Sequence, residues 1–174
     1  MKHSMLLAIV ASGLIAACGG PKEAGTEPAA DARQPWPDFV ATVISDYYRQ
    51  NPETAVDAGL HQYDGQMSDM SGTALEEYAA WIDTTLAAAN AYADLEGIEA
   101  FERDYLTTYL GGQLFWLRES DFPKKNPLFY SGQIGLSVYT DREYAPLDQR
   151  MRAYTVYIGQ LPEMLDQMQS NLEP

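Results

Sequence analysis

Residues 73–94 read TALEEYAAWIDTTLAAANAYAD, and the spacing of their apolar side chains decides the fold class. Leu75, Tyr78, Ala79, Ile82, Leu86 and Ala89 recur every three or four positions, the repeat that aligns side chains on one side of a helix of roughly 3.6 residues per turn. Alanine and glutamate fill the remaining places, and both lose little entropy in a helix. Asp69 or Ser71, just ahead of the run, is placed to cap it by accepting bonds from its unpaired first amides.

The same period recurs on both sides. Phe39, Val40, Val43, Ile44 and Tyr47 follow Pro37-Asp38 and predict a helix over 37–50, ended by Asn51-Pro52 because the residue before proline is pushed out of the helical region. Pro52 opens a short helix through Ala58 with Asn51 as its cap, and Gly59 supplies the left-handed stop. Leu60 to Gly72 reads as a loop. Glu99 to Glu119 predicts a third long helix with Phe101, Tyr105, Tyr109 and Leu117 turned inward, and Gly111-Gly112 calls for a kink or a close helix contact. Asp121 to Asn126 is a polar connector. Leu128 to Thr140 predicts a helix, Pro146 opens another carrying Leu147, Met151, Tyr154, Tyr157, Ile158 and Leu161, and Pro162 starts a last one, Met164 to Leu172. No alternating strand pattern and no 20–50-residue repeat interrupts this series. The expected fold is all-α, a multi-helix bundle.

The amino terminus carries an address. Lys2, the apolar run Met5 to Val10 and Leu14-Ile15 make a secretory signal over residues 1–17. Leu14-Ile15-Ala16-Ala17-Cys18 ends it on the single cysteine of the chain, as a bacterial lipoprotein signal ends. Lipidation at Cys18 is therefore expected, and two or three acyl chains anchor firmly where one is marginal. Residues 18–35 form a flexible Pro/Ala/Gly/Glu-rich linker and 36–174 the helical body. Gly19 and Gly20 rather than aspartate follow the cysteine, which points to the outer membrane, facing the periplasm, in a host with two membranes.

With 25 acidic against 11 basic residues the formal charge is -14. Such a body repels nucleic acid and anionic head groups, so the expected partner is the membrane, reached through the lipid anchor alone, with no nucleic acid.

Chemistry is sparse. Of two histidines, His3 leaves with the leader, and His61 in His61-Gln62-Tyr63-Asp64 reads as a loop residue bonded to backbone. One histidine without a cysteine ligand cannot cage zinc. Asp64, Ser68, Asp69, Ser71, Thr73 and Glu76-Glu77 suggest a calcium loop, but Asp69 stands where the turn needs glycine and Leu75 where the bidentate glutamate belongs. The pairs Asp94/Glu96, Glu99/Glu102 and Asp141/Glu143 read as surface carboxylates, so no catalytic and no metal residue is expected here. Twelve tyrosines exceed what a core needs and suit either helix interfaces or a ligand groove.

Ordered local signatures add a resemblance. Phe39 through Tyr48, Asn51-Pro52-Glu53-Thr54-Ala55-Val56-Asp57-Ala58-Gly59-Leu60, Tyr63-Asp64 and Asp69-Met70-Ser71 come first. Asn126-Pro127-Leu128-Phe129-Tyr130, Arg152, Leu161-Pro162-Glu163-Met164-Leu165 and Asn171-Leu172 follow. The series resembles the opening portion of bacterial domain of unknown function 885, a family with many lipoproteins, over all of 36–174. The resemblance implies a larger helical zincin-like fold, a zinc-dependent hydrolase or peptidase with its His-Glu-x-x-x-Gly-His-like motif far downstream. Zinc and peptide substrate are thus expected of the full-length protein and no cofactor of this chain. The expectation is an inactive amino-terminal fragment, interrupted within the apolar run Leu161 to Leu172, which should then lie exposed. The alternative is a non-catalytic lipoprotein that binds an envelope partner.

Overall fold

The computed structural model describes residues 33–132 and 134–173, and all regular structure among them is helical. The leader over 1–17, Cys18 and most of the 18–35 linker lie outside the described residues. Helix α1 spans Trp36–Gln50, α2 Pro52–Asp57, α3 Gly72–Asn90 and α4 Gly97–Leu114. The shorter α5 (Phe122–Lys125), α6 (Leu128–Ser131) and α7 (Ser137–Asp141) lead to α8 (Leu147–Ile158) and α9 (Leu161–Asn171).

Local chemistry accounts for the joints. Gly59 adopts φ 91° after α2, and the N–H groups of Gly59 and Leu60 donate to Val56 O and Ala55 O at 2.9 Å, the paired bonds of a left-handed helix stop. Ser71 Oγ accepts from Ala74 N–H at 3.2 Å and so caps α3. Asp69 instead accepts from Ser71 N–H, bracing the turn before the cap. Asn51 does not cap α2: its carboxamide turns back and donates to Tyr47 O at the end of α1.

Three apolar clusters hold the body together. In the first, Trp36, Phe39 and Val43 of α1 meet Ala89 and Tyr92 where α3 turns toward α4. The Trp36, Phe39 and Tyr92 rings lie 5.2–5.5 Å apart, a spacing at which aromatic pairs add to simple burial. The second joins Val56 of α2 to Val138, Tyr139 and Tyr157 of α7 and α8. The third seats Met164 of α9 against Met70 and Tyr130. Buried Arg150 has no carboxylate partner among the described residues and donates to Tyr139 O, Thr140 O and Ala145 O. A cation on the last carbonyls of α7 is the placement that a helix carboxyl end favours.

Several expectations change. The helix over 128–140 breaks into α6 and α7, because glycines at 132 and 135 weaken it and Gly135 N–H bonds the Tyr157 hydroxyl rather than a helix carbonyl. The connector 121–126 coils into α5, started by Asp121 at φ 52°. Gly111 and Gly112 meet no close neighbour. The irregularity comes later, as a π turn over Phe115–Glu119 closed by Ser120 N–H to Phe115 O. Most of the apolar face of α9 is covered, since Leu161, Met164, Met168 and Leu172 join the third cluster and Leu165 is the exposed large apolar side chain there. On α4 the inward stripe is reversed: Leu110 is buried and Leu106 packs on the first cluster, whereas Phe101 and Tyr105 are 64% and 65% exposed.

Candidate functional site

A solvent-open groove of about 420 Å³ forms where the end of α1, the loop before α3, the first turns of α3 and the end of α4 converge. Gln50, Asn51, Gln66, Ser68, Tyr78 and Gln113, with the charged Arg49, Asp69 and Glu77, supply its polar lining, over a floor that includes Met67, Met70, Leu75, Leu117 and Phe129. The exposed lining is more polar than apolar, so the groove suits a polar ligand held by hydrogen bonds rather than an apolar one.

The loop is held in place from three sides. Ser68 donates from N–H and Oγ to the two oxygens of Glu53, at 2.8 and 2.5 Å. Gln167 of α9 accepts from Met70 N–H and donates to Asp69, and Asn171 donates to Met70 O. These bonds leave the loop little freedom, so the groove wall is formed before any ligand arrives.

Tyrosine hydroxyls gather at one side. Tyr47 Oη and Tyr109 Oη are 2.7 Å apart, and Gln113 Nε2 donates to Tyr109 Oη at 3.3 Å. The Tyr78 hydroxyl is buried with no hydrogen-bond partner, although the Asn51 side chain lies near enough to oppose part of its pKa rise. Burial pushes Tyr78 up to about 12, and burial followed by the Tyr109 hydroxyl holds Tyr47 above the usual phenol range. Both phenols therefore remain protonated at neutral pH. They suit donation to a ligand acceptor and not proton abstraction. An unpaired buried donor costs roughly 1–3 kcal/mol, a cost that the nearby Asn51 side chain reduces.

The residues singled out in the sequence do not assemble into this groove as a set. His61 lies elsewhere, with Nδ1 3.1 Å from Asp64 Oδ1 and its ring stacked 3.5 Å from Tyr144. Tyr144 Oη donates to the other Asp64 oxygen at 2.8 Å, which fastens the loop after α2 to the segment before α8. Tyr144 is raised above its ordinary pKa by burial and by this carboxylate. His61 is thus paired with a carboxylate and not with backbone. Of the suspected calcium residues, Ser68, Asp69 and Glu77 line the groove, but the first two are spent on structural bonds. Glu102 accepts from Trp36 Nε1, and Asp141 from the Thr140 hydroxyl. Among the described residues no three His, Cys, Asp or Glu side chains gather into a metal cage. Asn51, Tyr78 and Gln113 were not legible as site residues, since they come from the α1–α2 junction, α3 and α4 and share no motif. The one hint was the excess of tyrosine.

Comparison with known proteins places this geometry in context. Residues 52–174 match the family described as "Bacterial protein of unknown function (DUF885)". The chain is similar to a solved structure described as "a putative lipoprotein of unknown function from Shewanella oneidensis", with a TM-score of 0.71 and 18% identity. The match covers 81% of this chain and 26% of that one, so this chain spans about a quarter of its relative's length. No curated protein sequence matches the chain. Among the described residues no helix is long and apolar enough to cross a membrane.

Proposed function

Because this chain belongs to the DUF885 family of bacterial proteins of unknown function, we propose that it is the amino-terminal helical section of a lipid-anchored envelope protein, and that its groove binds peptide or similar amide groups. In this reading residues 1–17 are removed, Cys18 is acylated, 18–35 act as spacer, and 36–174 present the groove above the membrane, the outer one in a host with two. Hydrolysis of the bound amide is assigned to family sequence beyond this section. The residues here do not fit a catalytic zinc: His61 is committed to Asp64 and Tyr144, and no metal cage forms among the described residues. No step of the chemistry is routed through them.

The observation that carries the reading is the groove's set of uncharged hydrogen-bonding groups, Gln50, Asn51, Tyr78 and Gln113, over methionine, leucine and phenylalanine. Gln50, Asn51 and Gln113 each spend one amide N–H inside the protein, which leaves a second N–H and the carboxamide oxygen of each to complement a peptide backbone, while Met67 and Met70 adapt to varied side chains. A phosphate or sulfate would want free cations, and Arg49 at the rim is bonded to Asp46.

Calorimetric titration of the purified protein with blocked alanine tripeptides tests this. Tyr78→Phe and Gln113→Ala should each weaken binding about tenfold, the equivalent of one lost hydrogen bond of about 1.4 kcal/mol. Absence of binding, or binding that neither variant weakens, would overturn the reading.

A further inference from the structure

The α4 surface carries a feature the groove does not use. Ile98, Phe101, Tyr105, Tyr109 and Gly112 fall on one side of the helix, three or four residues apart, and the four large side chains are all exposed. Their rings form a ladder, Phe101 to Tyr105 at 6.5 Å and Tyr105 to Tyr109 at 6.4 Å, each pair stacked. Phe115 and Trp116, each 51% exposed, extend it into the π turn. The α4 portion, Ile98 to Gly112, runs about 21 Å. Aromatic surface of this extent is rarely left to water.

The glycines sharpen the point. Two glycines in a helix interior cost about 1 kcal/mol each relative to alanine, yet a Cβ at Gly111 or Gly112 would meet nothing within 4 Å. No packing inside this section explains them. Gly112 leaves a notch in the ladder, where a second helix backbone can approach closely.

We propose that this α4 face is the seat of helical sequence that a family-length chain carries beyond the section described here. About three-quarters of the Shewanella relative has no counterpart in this match, which is ample to supply the covering layer. Charge argues against a second copy, because each chain carries -14 and exposed Glu102 borders the ladder, as does Asp104, which Arg103 pairs with. The covering helix should therefore present an apolar stripe with lysine or arginine along its edges. Gln113 follows Tyr109 by one turn and also lines the groove, so sequence docked on α4 would stand beside the groove mouth. The inference rests on the proposal that this is an amino-terminal section, but not on what the groove binds.

The test reads the coding DNA past codon 174, expresses the longer product beside the 174-residue chain, and compares hydroxyl-radical labelling of Phe101, Tyr105 and Trp116. In the longer product these rings should react about tenfold less, as protected core groups do. Tyr105→Glu in the longer product should restore the reactivity of Phe101 and Trp116, whereas Thr84→Glu, on an exposed face of α3, should not. A longer frame with a fully reactive ladder overturns the inference and leaves the amino-terminal reading intact. A stop directly after codon 174 overturns both. Ladder protection that appears in the 174-residue chain only as concentration rises assigns the face to a second copy and overturns the inference alone.

Discussion

Tyr78 shows how one hydroxyl links recognition to stability. Its phenol oxygen is buried without a hydrogen-bond partner, so Tyr78→Phe should raise stability at neutral pH by about 1 kcal/mol while weakening ligand binding. Urea unfolding in the absence of peptide measures the first effect. The pH dependence has a fixed sign. An unfolded tyrosine releases its proton near pH 10, whereas folded Tyr78 holds it to about 12. Between those values the folded state binds more protons, and stability falls as pH rises, by up to about 1.4 kcal/mol per pH unit for this group. Its contribution is intact below pH 10. Tyr47, Tyr144 and Tyr157 are raised chiefly by burial and act in the same direction. Unfolding curves at pH 9, 10 and 11 should therefore show a steep alkaline decline that Tyr78→Phe makes shallower; equal slopes in the two proteins would refute the assignment.

At the scale of elements, two glycine positions separate local propensity from packing. Gly112 is helical and open, so Gly112→Ala should stabilise the 174-residue chain by about 0.5–1 kcal/mol. Gly65 sits at φ 78°, with Ala153 O and Val156 Cβ 3.3 Å from any added Cβ. Its N–H donates to Tyr139 Oη, and its carbonyl accepts from Gln160 Nε2. Gly65→Ala should cost about 1–3 kcal/mol, and thermal denaturation of the two variants should show shifts of opposite sign. The same contrast explains what was legible beforehand. The apolar period placed α1, α3, α8 and α9 within a few residues, and Pro52 as opener with Gly59 as left-handed stop placed α2. On α4, though, two apolar stripes compete, Leu106 and Leu110 against Phe101, Tyr105 and Tyr109. Periodicity identifies a stripe but not what it faces, and Leu106 and Leu110 won because they meet the cluster around Trp36, Phe39 and Tyr92. The α6–α7 break was hidden for a related reason: Gly135 leaves the helix to bond a tyrosine twenty-two positions away. The groove was the least legible feature, since Asn51, Tyr78 and Gln113 converge only once α1, α3 and α4 have packed.

For the whole molecule, charge and tether must be considered together. A formal charge of -14 repels anionic lipid head groups, an effect that falls off within about 10 Å at ordinary salt. The exposed α4 aromatics could offset some of that repulsion by inserting into a bilayer, but Glu102 and Asp104 stand exposed beside them and insertion would have to desolvate those carboxylates. Membrane residence should then depend on acyl chains at Cys18, each buried methylene contributing about 0.8 kcal/mol, and hardly at all on the protein surface. Cys18→Ser should move the protein from the membrane fraction to the soluble fraction of the envelope. The native protein should stay with membranes through a high-salt wash and leave only in detergent. Retention of Cys18→Ser on membranes at low salt with release at high salt would show an electrostatic contact that this charge distribution does not provide. Retention at both salt levels, abolished by adding Tyr105→Glu, would make the α4 ladder a lipid contact and remove the need for a covering helix.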